Sequence, residues 1–166
     1  EHSHTGIVAS DVMAGCQHFE FGPHNDGVSA GADAAGAPAI MPHNHYRLTV
    51  PAAGGQVTLM APGEGIYYVM LSAAEASLSI TDGAGAAVAP LESQAPAEAC
   101  AAAKWLGQYQ LAAGAYALRI EGASAVELVV HGPIGADHHH GADGGHQHGD
   151  MDGGVHQHEG DAAHHH

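Results

Sequence analysis

The sequence predicts an all-β fold, an antiparallel sandwich of jelly-roll type that ends in a disordered histidine-rich tail. Three observations predict it. Short segments with an apolar period of two recur between residues 45 and 131, separated by turn signals. Helical periodicity is nearly absent, with one Ala-rich exception. From Gly132 onward the apolar pattern stops and Gly, Asp and His take over, which leaves too little apolar surface to offset the entropy of ordering. The expected organisation is a loosely held segment over residues 1–15, one sandwich domain over residues 16–132 and a tail over residues 133–166.

The elements follow in order. "CQHFEFG" alternates, with Phe19 and Phe21 on one side and His18 and Glu20 on the other, so it reads as a short strand. "PHNDGVSAGADAAGAPA" is small, Gly-rich and turn-rich and reads as a long loop. Strands are then expected at His45–Val50, Gln56–Ala61, Gly65–Ser72, Ala76–Thr81 and Ala87–Leu91, and again at Tyr109–Leu111, Ala115–Glu121 and Ala125–His131. The separators "PAAGG", "APGEG", "TDGAG", "LAAGA" and "EGAS" carry turn chemistry. Gly54-Gly55 and Asp82-Gly83 are the hairpin-like ones. "SQAPAEACAAAKW" is the one plausible helix, with Pro96 suited to its first turn.

Charge bounds the partners. Arg47, Lys104 and Arg119 stand against eighteen acidic residues, for a formal net charge of −15. Such a surface repels nucleic acid and anionic membrane and attracts divalent cations. No apolar run is long enough for a transmembrane segment. "EHSHTGIVAS" has neither a basic n-region nor an apolar h-region, so the expectation is a periplasmic or secreted protein whose export signal has been removed. Two cysteines without Cys-x-x-Cys spacing, Cys16 and Cys100, predict a disulfide, the alternative being two buried thiols. Closing a loop of about 80 residues is worth ~4 kcal/mol, and the bond would belong outside the cytosol.

"QVTLMAPGEGIYYVMLSAAEASLSITDGAGAAV" followed by "QYQLAAGAYALRIEG" resembles the bacterial pre-peptidase C-terminal type of β-sandwich. The residues that carry the resemblance include Ala61, Pro62, Gly65, Tyr67, Asp82, Gly85, Leu111, Gly114, Tyr116 and Arg119. The resemblance implies a jelly-roll sandwich in an extracytoplasmic place, used as an accessory module. The cysteine pair and the histidine clusters lie outside its pattern.

Histidine carries the chemistry. There are seventeen, ten of them between His138 and His166. His138, His139, His140, His146, His148, His156 and His158 alternate with Gly and Asp in a segment that resembles the His/Asp-rich stretches of bacterial zinc and nickel handling proteins. Neutral imidazole is the commonest metal ligand. His164–His166 also fit the remnant of a purification tag. A folded site is expected nearer the core. His43 and His45 lie two residues apart, about 6.6 Å on one side of a strand, close enough to share an ion at ~2.0–2.1 Å. His18 with Glu20, then His24 and His131, are the candidates to complete it. Zn2+ is favoured by the His/Asp/Glu ligand set; Met41-x-His43-x-His45 would suit copper, as Cu+ or Cu2+, and Ni2+ also accepts imidazole. Nothing resembles a nucleophile elbow or a phosphate-cradling loop, so no enzyme is expected. The sequence points to a metal-binding protein that captures, buffers or delivers an ion, with a metal transporter or its binding protein as partner. The rival is an accessory or adhesion module.

Overall fold

A computed structural model describes residues 6–135. The element order is α1 (Ala9–Phe21), β1 (His24–Ser29), β2 (Ala39–Ile40), β3 (His45–Thr49), β4 (Gly55–Ala61), β5 (Gly65–Leu71), β6 (Ser77–Thr81), β7 (Ala87–Val88), β8 (Glu92–Gln94), β9 (Trp105–Leu111), β10 (Gly114–Glu121) and β11 (Ala125–Ile134). The strands form two sheets, ordered β1-β3-β11-β5-β9-β8 and β2-β4-β10-β6-β7. The expected sandwich is present. Its pairings are antiparallel apart from β1 with β3 and β2 with β4, which run parallel.

The main core lies between the sheets, where alternate residues point inward. Tyr46 and Leu48, Val57 and Leu59, Tyr67 and Val69, Leu118 and Ile120, and Leu128 and Val130 interdigitate there. Two tyrosines lock adjoining turns. The Tyr67 hydroxyl donates to the Gly63 carbonyl at 2.6 Å, and that of Tyr116 to the Ala112 carbonyl at 3.0 Å. Burial pushes the Tyr109 phenol up to about 12. Asp82 shapes the β6–β7 turn, its Oδ1 accepting from the amides of Ala84 and Ala86. The Gly54-Gly55 turn joins β3 to β4, which lie in different sheets, so it is a crossing between layers and not a hairpin.

A second cluster covers the outer face of the six-stranded sheet. Val12 of α1 meets Tyr68, Met70, Leu106 and Val129 from the sheet, with Ala97, Cys100 and Ala103 beside them. Burial on both faces explains why "GIYYVML" is a continuous apolar run. The Cys16–Cys100 disulfide expected from sequence pins α1 to this cluster, with a Cα–Cα distance of 5.7 Å. It points to an oxidising, extracytoplasmic compartment. No helix among the described residues is long and apolar enough to cross a membrane.

Three expectations are corrected. The segment expected as a strand around "CQHFEFG", with much of the segment expected to be loose before it, is helix α1. Val12, Gly15 and Phe19 recur at i, i+3 and i+7, a helical stripe, whereas Phe21 is 73% exposed and contributes nothing to a strand face. Gly22 ends the helix at φ 73, donating its amide to the His18 carbonyl. The Ala-rich segment expected as a helix is instead a pair of turns, in which Ala97, Cys100 and Ala103 pack small side chains on the sheet. Helix propensity is a weak prior over so few residues. Third, the expected long loop contains β1 and β2, and β8 was also unforeseen; all three run along sheet margins. Of the tail expected to be disordered over residues 133–166, Pro133 and Ile134 instead continue β11, Ile134 pairing with Ile66 of β5; residues 136–166 lie outside the described residues.

Candidate metal centre

The site is built on the covered outer face. In β11, Leu128 and Val130 point into the main core, which turns Glu127, Val129 and His131 outward. Helix α1 lies across that face. Gly15 makes the approach possible: a Cβ there would lie 2.8 Å from the His131 Cβ and 2.5 Å from the Met70 Cε. One turn after Gly15, His18 comes over His131, with ring centroids 6.0 Å apart.

His43 arrives from the turn before β3. Its amide donates to the Val130 carbonyl at 2.8 Å, which sets it beside His131. Among the described residues it is the one non-glycine with a positive φ, 63°. An L-residue held there costs on the order of 1–2 kcal/mol, and such strain collects at functional sites. The His43 ring lies 5.0 Å from that of His131 and 5.5 Å from that of His18.

His18, His43 and His131 each offer one ring nitrogen, and these atoms all lie within 4.8 Å of one another. Tetrahedral ligands at about 2.0–2.1 Å would stand roughly 3.3 Å apart, so the nitrogens would have to draw together by at most about 1.5 Å to share an ion. The His18 tautomer already suits this. Its Nδ1 lies 2.9 Å from the Gly22 carbonyl oxygen; a carbonyl only accepts, so Nδ1 carries the hydrogen and Nε2 keeps the lone pair. Anchoring of the distal ring nitrogen by a carbonyl is the usual support for a metal-bound histidine.

The structure separates the two histidines expected to share one ion. His43 precedes β3 in a left-handed turn, so the period of two that governs the strand does not reach it. His45 opens β3 and is fully buried. Its Nδ1 meets the Nδ1 of His24 at 2.6 Å and its Nε2 meets Glu127 Oε1 at 2.9 Å. Glu127 also faces Arg47 Nε at 3.4 Å. His24 therefore belongs with His45 and apart from the three-histidine set, while His131, ranked low from sequence, is central. The expected pairing of His18 with Glu20 on one strand face is lost with the strand. Glu20 contributes only its backbone carbonyl, 3.1 Å from His24 Nε2. The tail histidines lie outside the described residues.

No protein-family model matches this chain, and no curated protein matches it.

Proposed function

We propose that this protein is an extracytoplasmic transition-metal binder, not an enzyme, that captures or buffers zinc for delivery to a transporter. The observation that carries the reading is the clustering of His18 of α1, His43 of the turn before β3 and His131 of β11, whose ring nitrogens lie within 4.8 Å of one another. Three imidazoles are a ligand set that zinc accepts. The His/Asp-rich sequence from His138 onward supplies more imidazoles of the same chemistry. The surface favours cations, with eighteen acids against three fixed cations.

Native mass spectrometry with elemental analysis tests this on the untagged chain. To read the folded centre alone, the ten histidines between His138 and His166 are replaced by glutamine in the full chain. Zinc binding should persist, and His18→Ala, His43→Ala and His131→Ala should each weaken it at least tenfold, or ~1.4 kcal/mol. If no metal binds in that background, the folded centre is wrong. If none binds the full native chain either, the accessory role implied by the sandwich resemblance is the better reading.

A further inference from the structure

The second histidine pair carries an inference of its own. His24 Nε2 lies 3.1 Å from the Glu20 carbonyl oxygen. A carbonyl only accepts, so this nitrogen is an N–H donor. His45 Nε2 lies 2.9 Å from Glu127 Oε1. An ionised carboxylate, here beside Arg47, also only accepts, so His45 Nε2 is an N–H donor as well. In two neutral rings so arranged, both Nδ1 atoms are bare lone pairs. They face each other at 2.6 Å. Two lone pairs at that separation repel unless a cation lies between them.

We propose that His24 and His45 form a second metal site, in which a zinc-type divalent ion sits between the two Nδ1 atoms. The site goes beyond the three-histidine reading and does not depend on it. Its supports are already in place: the Glu20 carbonyl and the Glu127 carboxylate hold the distal nitrogens, the arrangement that orients metal-bound imidazoles. His45 is the fixed wall, fully buried with the Phe19 ring 5.6 Å away. His24 is exposed at the start of β1 and is the movable jaw. Ligands at ~2.0–2.1 Å with tetrahedral angles would stand roughly 3.3 Å apart, so the pair must open by roughly 0.7 Å, a small swing for an exposed ring. Water fills the remaining positions, which makes this the weaker of the two centres.

The test uses the full chain with its ten tail histidines replaced by glutamine. Zinc is titrated by calorimetry, and the bound ions are counted by native mass spectrometry. The expected result is two zinc ions per chain, the second held at least tenfold more weakly. His24→Ala should abolish the weaker event and keep the tighter one, while His43→Ala should do the reverse. His24 is exposed, so the substitution leaves the core intact, which a circular dichroism melt confirms. A single zinc event insensitive to His24→Ala overturns the proposal and leaves a shared proton as the bridging cation. Two events that both survive His24→Ala overturn it as well. One event lost on His24→Ala but kept on His43→Ala supports this site and removes the three-histidine centre instead.

Discussion

Replacing Gly15 by alanine tests whether helix α1 positions the candidate metal centre, because it removes none of the three clustered histidines. On propensity alone the change favours the helix by about 0.8–1.0 kcal/mol. Packing opposes it. The new methyl would stand 2.5 Å from the Met70 Cε and 2.8 Å from the His131 Cβ. The Met70 methyl ends a flexible side chain and can swing aside. The His131 Cβ cannot, because β11 is held between β3 and β5. Restoring ordinary carbon contact at ~3.5 Å requires the helix to retreat by roughly 0.7 Å, against the cystine at the next residue. Overpacking of this kind costs typically ~1–3 kcal/mol, so the net loss of stability is about 0–2 kcal/mol once propensity is set against it. His18, one turn on, moves with the helix, whereas metal–ligand distances tolerate only about 0.2 Å. Zinc affinity should therefore fall at least tenfold in a domain that still folds. Competition against a chromophoric chelator, in the background without tail histidines, measures the affinity, and circular dichroism monitors the fold. Met13→Ala, an exposed change on the same helix, is the control and should do nothing. An affinity within threefold of the parent, with the helix intact, would refute the idea that this close approach sets the His18–His131 geometry.

Three further predictions follow from the same structure. Thiol titration of the unfolded, unreduced protein should find no free cysteine, and the Cys16→Ser, Cys100→Ser double variant should lose about 4 kcal/mol of stability in denaturant unfolding, since the bond closes a loop spanning 84 positions. In alkaline spectrophotometric titration the Tyr109 phenol should ionise only at about pH 12. Its pKa is raised by burial from 10.0, so its contribution to stability is fully present below pH 10 and declines as pH climbs toward 12; Tyr109→Phe should flatten that decline. Removing residues 136–166 should leave the circular dichroism spectrum of the sandwich intact, because that segment is mostly Gly, Asp and His with little apolar surface to bury, and should lower the zinc bound per chain; loss of the β-sheet signal would contradict this.

The sandwich was legible because strands buried on alternate faces write their period into the sequence. His45–Thr49, Gly65–Leu71 and Gly114–Glu121 fall within a residue or so of where alternation and turn chemistry set them. Margins were not legible: β1 is "HNDGVS", polar and half exposed, and no hydrophobic period marks it. The site was half legible. Of the three clustered histidines, the sequence singles out His18 and His43 together, but it ranks His131 low because the strand period is applied one turn too early. Two signals could have corrected it. The uninterrupted apolar run of β5 says that its sheet is covered on both sides, which calls for an element such as α1. The outward parity of Glu127, Val129 and His131 in β11 then puts His131 under that cover. The left-handed turn at His43 has no comparable signature, since "PHN" is compatible with several turns.

The centre depends on an element that would not persist alone. A helix of 13 residues is marginal in water, and α1 fully buries only Val12 and Gly15. Its N-cap, Val8, makes no side-chain capping bond. What holds it is tertiary: the cystine at Cys16, the fit of Gly15 on β11, and the Val8 amide on the Tyr68 hydroxyl at 3.1 Å. An ion joining His18 to His43 and His131 would be a further tie between helix and sheet. It would stabilise the docked helix by about 2.7 kcal/mol when free metal exceeds its dissociation constant a hundredfold. Local opening of α1 and release of such an ion would then be one equilibrium, so metal occupancy would be readable as slowed amide exchange across Ala9–Phe21.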